Sequence, residues 1–171
     1  MAQFYPSRNP LIILLCLGLL ASACGKPEPT MTRRSQFLMG TLVEISVLEK
    51  DKEIAQSAIQ NAFTEIQRME NLMSTHIPKS EISKINQASG IRPTPVSAEV
   101  FEVISRALYW AEQTHGAFDI SLEPVQELWN FETDPPSLPV ENALQQALSK
   151  VGYAKIKLEN QTVFLPEKGM G

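Results

Sequence analysis

The stretch HGAFDISLEPVQELWNF, His115 to Phe131, carries the most chemical promise in this 171-residue chain. Asp119 sits among Phe118, Ile120 and Leu122, just after the glycine that should end a helix. An unpaired buried carboxylate is costly. Nothing nearby in the sequence pairs with Asp119, so it faces either solvent at an edge or something that binds. Two other stretches hold more polar chemistry than packing needs. FLMGT (Phe37 to Thr41) places a thioether and a glycine ahead of a strand, although Met39 alone also reads as core filler. MSTHIPKSEISKIN (Met73 to Asn86) gathers Ser74, Thr75, His76, Ser80, Glu81 and Asn86 around a helix break. The same residues also read as a C-cap, a turn and an N-cap.

Several other chemistries lack their residues. His76 and His115 are far apart, and no His-x-x-x-His, nucleophile elbow or phosphate-cradling glycine loop occurs. His115, beside Gly116, suits a cation at a helix C-terminus. A formal net charge of −4 argues against a nucleic-acid binder.

The elements that must position these residues follow from periodicity. TLVEISVL (Thr41 to Leu48) alternates as a strand, with Val43, Ile45 and Val47 on one face. Asp51 caps a long amphipathic helix carrying Ile54, Ala55, Ala58, Ile59, Ala62, Phe63, Ile66, Met69 and Leu72 or Met73 inward, which Pro78 ends. A short helix over Ser80 to Asn86, then a turn at Ser89-Gly90, leads to a second long helix capped by Ser97. That helix turns Val100, Phe101, Ile104, Ala107 or Leu108 and Ala111 inward and stops by Gly116. A third helix has Val140, Ala143, Leu144, Ala147, Leu148 and Val151 on one stripe. KIKLENQTVFLP closes as a hairpin turning at Glu159-Asn160-Gln161. Helices and strands without a βαβ rhythm predict an α+β fold. The chain stops at Gly-Met-Gly after a strand, which reads as a connection into something further.

The N-terminus reads as processing rather than fold. LIILLCLGLLASA (Leu11 to Ala23) is too short for a membrane span and follows Arg8, as the apolar region of a secretory signal does. Ala21, Ser22 and Ala23 then precede Cys24, which resembles a bacterial lipoprotein signal with its Leu one place early, at Leu20. The alternative is a plain leader with an incidental cysteine. The expected division is a signal over 1–23, a tether over 24–34 and a folded part from Ser35. Only Cys24 survives processing, which leaves no disulfide in the mature chain.

Taken together, LMGT, MST-x-x-x-x-SE-x-x-x-x-N and GAFD-x-S-x-x-P-x-x-x-LW-x-F, in that order, resemble the FAD:protein FMN transferases, the ApbE family. The resemblance implies an ApbE-type α+β fold, with residues 35–171 as its N-terminal portion. It also implies transfer of FMN from FAD to a Thr hydroxyl of a target flavoprotein, with Mg²⁺, and release of AMP. By the same resemblance Met39, His76, Ala117, Phe118 and Asp119 contact the dinucleotide. The metal ligands and catalytic groups would lie past Gly171, so these residues alone would not turn over. Partners would be acceptor flavoprotein subunits of membrane redox complexes. The location would be the periplasmic face of a bacterial membrane, the inner favoured over the outer, lipid-anchored at Cys24. Three departures stand out: His76 replaces a Tyr, Ser121 a Thr, and Glu123 a position where Gly is usual. Two rival readings are a family member that hydrolyses FAD to FMN and AMP, and a lipid-anchored flavin carrier without catalysis.

Overall fold

The computed structural model describes residues 28–129 and 138–171. The signal segment, Cys24 and the start of the tether lie outside the described residues, as does Phe131. The chain forms two compact units. The first takes in residues up to Gln36 and Val43–Ala62, and the second Phe37–Leu42 and Phe63–Gly171.

Strand β1 (Thr30–Leu38) pairs with β2 (Thr41–Glu49). The fold thus begins five residues before the expected boundary at Ser35. The reason it went unread is burial: β1 is exposed at nearly every position, so TMTRRSQFL shows no alternation to detect. In the first unit the pairing is held by Thr30 Oγ1 donating to the Glu49 carbonyl at 3.5 Å and by Arg33 Nε at 3.3 Å from Glu44 Oε1. In β2, Val43, Ile45 and Val47 alternate half-buried with exposed neighbours, as expected. Asp51 caps helix α1 (Lys52–Met73), its Oδ1 accepting from the Glu53 and Ile54 amides at 2.8 and 3.2 Å. Ala55 and Ile59 of α1 are fully buried, while Ile54, expected inward, is exposed.

In the second unit the caps fall where the sequence put them. Ser80 Oγ accepts from the Ser83 amide ahead of α2 (Glu81–Gln87), and Ser97 Oγ from Val100 ahead of α3 (Ala98–Gln113). Glu81 reaches across to Ser97, accepting from its amide at 2.8 Å and its hydroxyl at 2.9 Å. At the far end of α3 the Gly116 amide reaches back to the Ala111 carbonyl at 2.8 Å. His115 and Gly116 take φ of 52° and 82° there, a left-handed stop that suits glycine. A one-turn helix α4 (Glu123–Gln126), α5 (Glu141–Lys150) and a 3₁₀ turn at Tyr153–Lys155 follow. On α5 only Ala147 is fully buried. Val140, just ahead of the first turn, and Leu148 are exposed.

Strands β3 (Thr94–Pro95), β4 (Lys157–Glu159) and β5 (Thr162–Phe164) make an antiparallel sheet in the order β3-β5-β4. Asn160 and Gln161, with φ of 49° and 56°, supply the two positive dihedrals of a tight hairpin. The core gathers Ile85 from α2, Val100 and Ile104 from α3, Val163 and Leu165 around β5, and Met170. Gly90 is exposed, with its amide bonded to the Leu165 carbonyl at 2.8 Å. A Cβ there would meet the Lys168 backbone at 2.8 Å. Outside, Arg68 of α1 pairs with both Glu65 and Glu99, which holds both carboxyls below the usual range and raises the guanidinium. All three groups are exposed, so the pairing contributes little stability.

Candidate functional site

The opening motif forms a corner closed by its own hydrogen bonds. Asp119 Oδ1 accepts from the Ser121 amide at 2.8 Å and from the Ser121 hydroxyl at 2.7 Å. Its Oδ2 accepts from the Tyr153 amide at 2.9 Å. Ser121 Oγ accepts in turn from the Gly152 amide at 2.8 Å, and Ser121 itself is 1% exposed. The expectation that Asp119 has no structural partner is therefore corrected. Its partners lie 34 residues away, in the turn after α5, where local sequence cannot show them. The corner fixes the chain leaving α3 against the 3₁₀ turn.

Beside the corner opens a cavity of about 650 Å³, within the range of small-molecule sites. Its apolar floor is drawn from the core and its edge, with Ile85, Ile104, Ile120, Val163 and Leu165. Its polar wall holds Thr75, His76, Asn86, Asp119, Glu123 and Glu127. α4 is a single turn, and it and the residue that ends it bring Glu123 and Glu127 to the same wall. Asn86 Nδ2 donates to Glu123 Oε2 at 2.6 Å. Burial pushes the Glu123 carboxyl above the usual carboxylate range and the Glu127 charge adds to this, with the Asn86 hydrogen bond and the His76 charge opposing.

The LMGT residues build a different feature. Met39 and Gly40 join β1 to β2 with φ of 52° and 72°, the sign pattern of a type I′ turn. Met39 is exposed, and its amide donates to Glu70 Oε1 at 3.0 Å. The other Glu70 oxygen accepts from Gln67 Nε2 at 2.9 Å. Glu70 thus pins this turn to α1.

Of the five residues singled out from the sequence, His76 and Asp119 line the cavity. Met39, Ala117 and Phe118 are exposed and do not line it. Phe118 is tied only through its amide, which donates to Thr114 Oγ1 at 3.1 Å. Sequence reasoning missed Asn86 and Glu123 as a bonded pair 37 residues apart. The one available signal was Glu123 itself, a charged residue next to Pro124 where the resemblance expects glycine.

A sequence model of the ApbE family matches residues 39–171. Relatives named FAD:protein FMN transferase include one from Treponema pallidum, 27% identical over 167 residues, and one from Vibrio cholerae, 30% identical over 162 residues. These alignments take in 92% and 91% of this chain but 46% and 47% of the relatives, so the chain spans about half the length of the curated relatives it matches. The crystal structure of the ApbE protein from Thermotoga maritima matches with a TM-score of 0.71 at 26% identity, over 82% of this chain and 46% of that one. The flavin transferase ApbE from Vibrio cholerae matches with a TM-score of 0.72 at 24% identity, over 83% and 47%, a likeness of fold.

Proposed function

This chain belongs to the ApbE family, and from that premise we propose that it takes FAD as substrate and serves transfer of the FMN moiety to a Thr hydroxyl of an acceptor flavoprotein. In that reaction the hydroxyl oxygen bonds the flavin-side phosphorus, the bridging P–O bond breaks, the hydroxyl proton is lost and AMP departs. The observation that carries the reading is spatial: His76 of the second motif and Asp119 of the third, 43 positions apart in the chain, meet at one cavity with an apolar floor.

The chain's own residues support binding and orientation. An imidazole can stack on a flat ring as the aromatic it replaces would, and the apolar floor keeps water from the ligand's ring. Met39, Ala117 and Phe118 remain part of the proposed flavin-binding set through the resemblance. Met39 offers an exposed thioether and Phe118 a half-open ring. The same resemblance brings Mg²⁺ into the proposal. Among the described residues no group of three or more His, Cys, Asp and Glu side chains comes together to hold a metal. The described residues therefore do not fit that ion.

The test is to titrate the purified chain into FAD and follow flavin fluorescence. Turnover is read on the full-length protein, because the resemblance puts the catalytic groups past Gly171: with Mg²⁺ and an acceptor protein added, AMP and covalent fluorescence on the denatured acceptor are measured. Saturable FAD binding is the expected result, and no binding overturns the proposal. A labelled acceptor supports the transferase, whereas AMP without a labelled acceptor replaces it with an FAD hydrolase. We also propose that Cys24 carries a lipid anchor at the periplasmic face of the bacterial envelope. Cys24→Ser should then move the protein from the membrane to the soluble fraction, and unchanged fractionation would sink this part.

A further inference from the structure

The polar wall of the cavity is unevenly engaged. Asp119 accepts from three protein donors, and Ser121 both donates to Asp119 and accepts from Gly152. A carboxylate offers about four acceptor sites, so little of Asp119 is left for a ligand. Glu123 is the reverse case. Its Oε2 takes the Asn86 amide at 2.6 Å, and Oε1 has no protein donor among the described residues. Asn86 is itself oriented by that bond, with its NH₂ turned to Glu123.

We propose that Glu123, rather than Asp119, is the carboxylate that reads the ligand, accepting through Oε1 a hydrogen bond from an N–H or amino group on the edge of a flat nitrogen heterocycle lying on the apolar floor. The inference rests on the reading of the cavity as an FAD site and specifies which side chain discriminates there. The chemistry is that of a half-buried acceptor short of donors, which gains most from a ligand that brings one. Burial and the Glu127 charge push this carboxyl upward, with the Asn86 hydrogen bond and the His76 charge opposing. FAD holds two edges of this kind, the flavin ring N–H between its two carbonyls and the exocyclic amine of adenine.

Glu123→Gln tests the assignment with little change of shape. The single acceptor oxygen of the new amide would pair with Asn86 Nδ2, leaving an NH₂ group turned to the cavity, a donor where an acceptor stood. Binding of riboflavin against 3-methylriboflavin, and of AMP against purine riboside 5′-monophosphate, would be measured on both proteins. Each second ligand lacks the N–H or amine. The wild-type chain should prefer one member of one pair by about tenfold or more, as for a hydrogen bond to a charged group. The pair that discriminates identifies which edge is read. In Glu123→Gln that preference should fall to within about twofold. A preference that survives the substitution, or a wild-type chain that binds these ligands without discriminating in either pair, overturns the role of Glu123 alone. Failure of the wild-type chain to bind any of the four overturns the cavity reading as well. If Glu123→Gln loses its cooperative melt, Glu123→Ala, which presents neither donor nor acceptor, is read in its place with the same expected loss.

Discussion

The Asp119 corner and the Met39 turn come from motifs of equal standing in the sequence, yet they are opposite kinds of structure. At Asp119 every carboxylate contact runs inward, tying the exit of α3 to the turn at Tyr153. At Met39 the backbone is held in a left-handed conformation that L-residues avoid, the side chain is open, and one carboxylate, Glu70, secures it from α1. A residue type that looks out of place in a sequence can thus mark a clamp or an opening. Only the partners tell which. The clamp works through the fold whether or not a ligand is present. The open turn closes the β1–β2 hairpin, and a non-glycine residue kept at its first positive dihedral also points towards a binding role.

The widest gap between the two regions should appear in stability. Asp119→Ala strands the Ser121 and Tyr153 amides, and we expect a loss of about 3 kcal/mol and a fall in Tm of about 10 °C. Asp119→Asn, which keeps one acceptor oxygen, should lose roughly half of that. Thermal unfolding followed by circular dichroism decides it. An Asp119→Ala protein that melts with the wild type would mean that the corner is not a clamp. This reverses what the sequence alone suggests, namely that removing a lone carboxylate would leave folding nearly intact.

Met39→Asn should act in the opposite direction. Asparagine tolerates the left-handed conformation better, so the variant should be more stable by up to about 1 kcal/mol. If the exposed thioether contacts the flavin, the same variant should bind FAD more weakly. Higher stability with unchanged FAD affinity would leave Met39 a turn residue and nothing more.

The smallest effect lies between the two regions, at Glu123. Its folded-state carboxyl is raised, so the native protein holds that proton more tightly than the unfolded chain does. The resulting stabilisation is present in acid and is lost as pH rises through the raised value. Glu123→Gln should therefore raise Tm slightly at neutral pH, with the gain fading as pH falls towards about 4. A gain independent of pH would show that ionisation of Glu123 carries no cost in the fold.

What could be read from the sequence was local. Asp51, Ser80 and Ser97 cap the helices they precede, because capping is a contact over two or three positions. The final hairpin and the stop at Gly116 were legible for the same reason. The two-carboxylate wall was not, because α4 is one turn long and shows no periodicity. Nor were the partners of Asp119 and Glu70, each more than 30 positions away. His76 and Asp119 could be picked out as site residues while the bonds that orient the site could not.

Gly90 carries a consequence for how this unit is made. Its amide is bonded to Leu165, the Gly169 amide is bonded to Ser89 across 80 positions, and Met170 is sealed in the core at 1% exposure. The apolar faces of α2 and α3 are thus closed by residues 163–170, which leave the ribosome well after those helices do. Until residues 163–170 arrive, those faces have no cover, and loop closure over such a span must precede the contacts that reward it. Timing, rather than strength, becomes the exposed point: a nascent chain waits for its lid with its core open to chaperones and to other copies of itself. Chains ending at residue 162 should accordingly bind a hydrophobic dye several-fold more strongly than the 171-residue chain, and equal binding would show that the core closes without that segment.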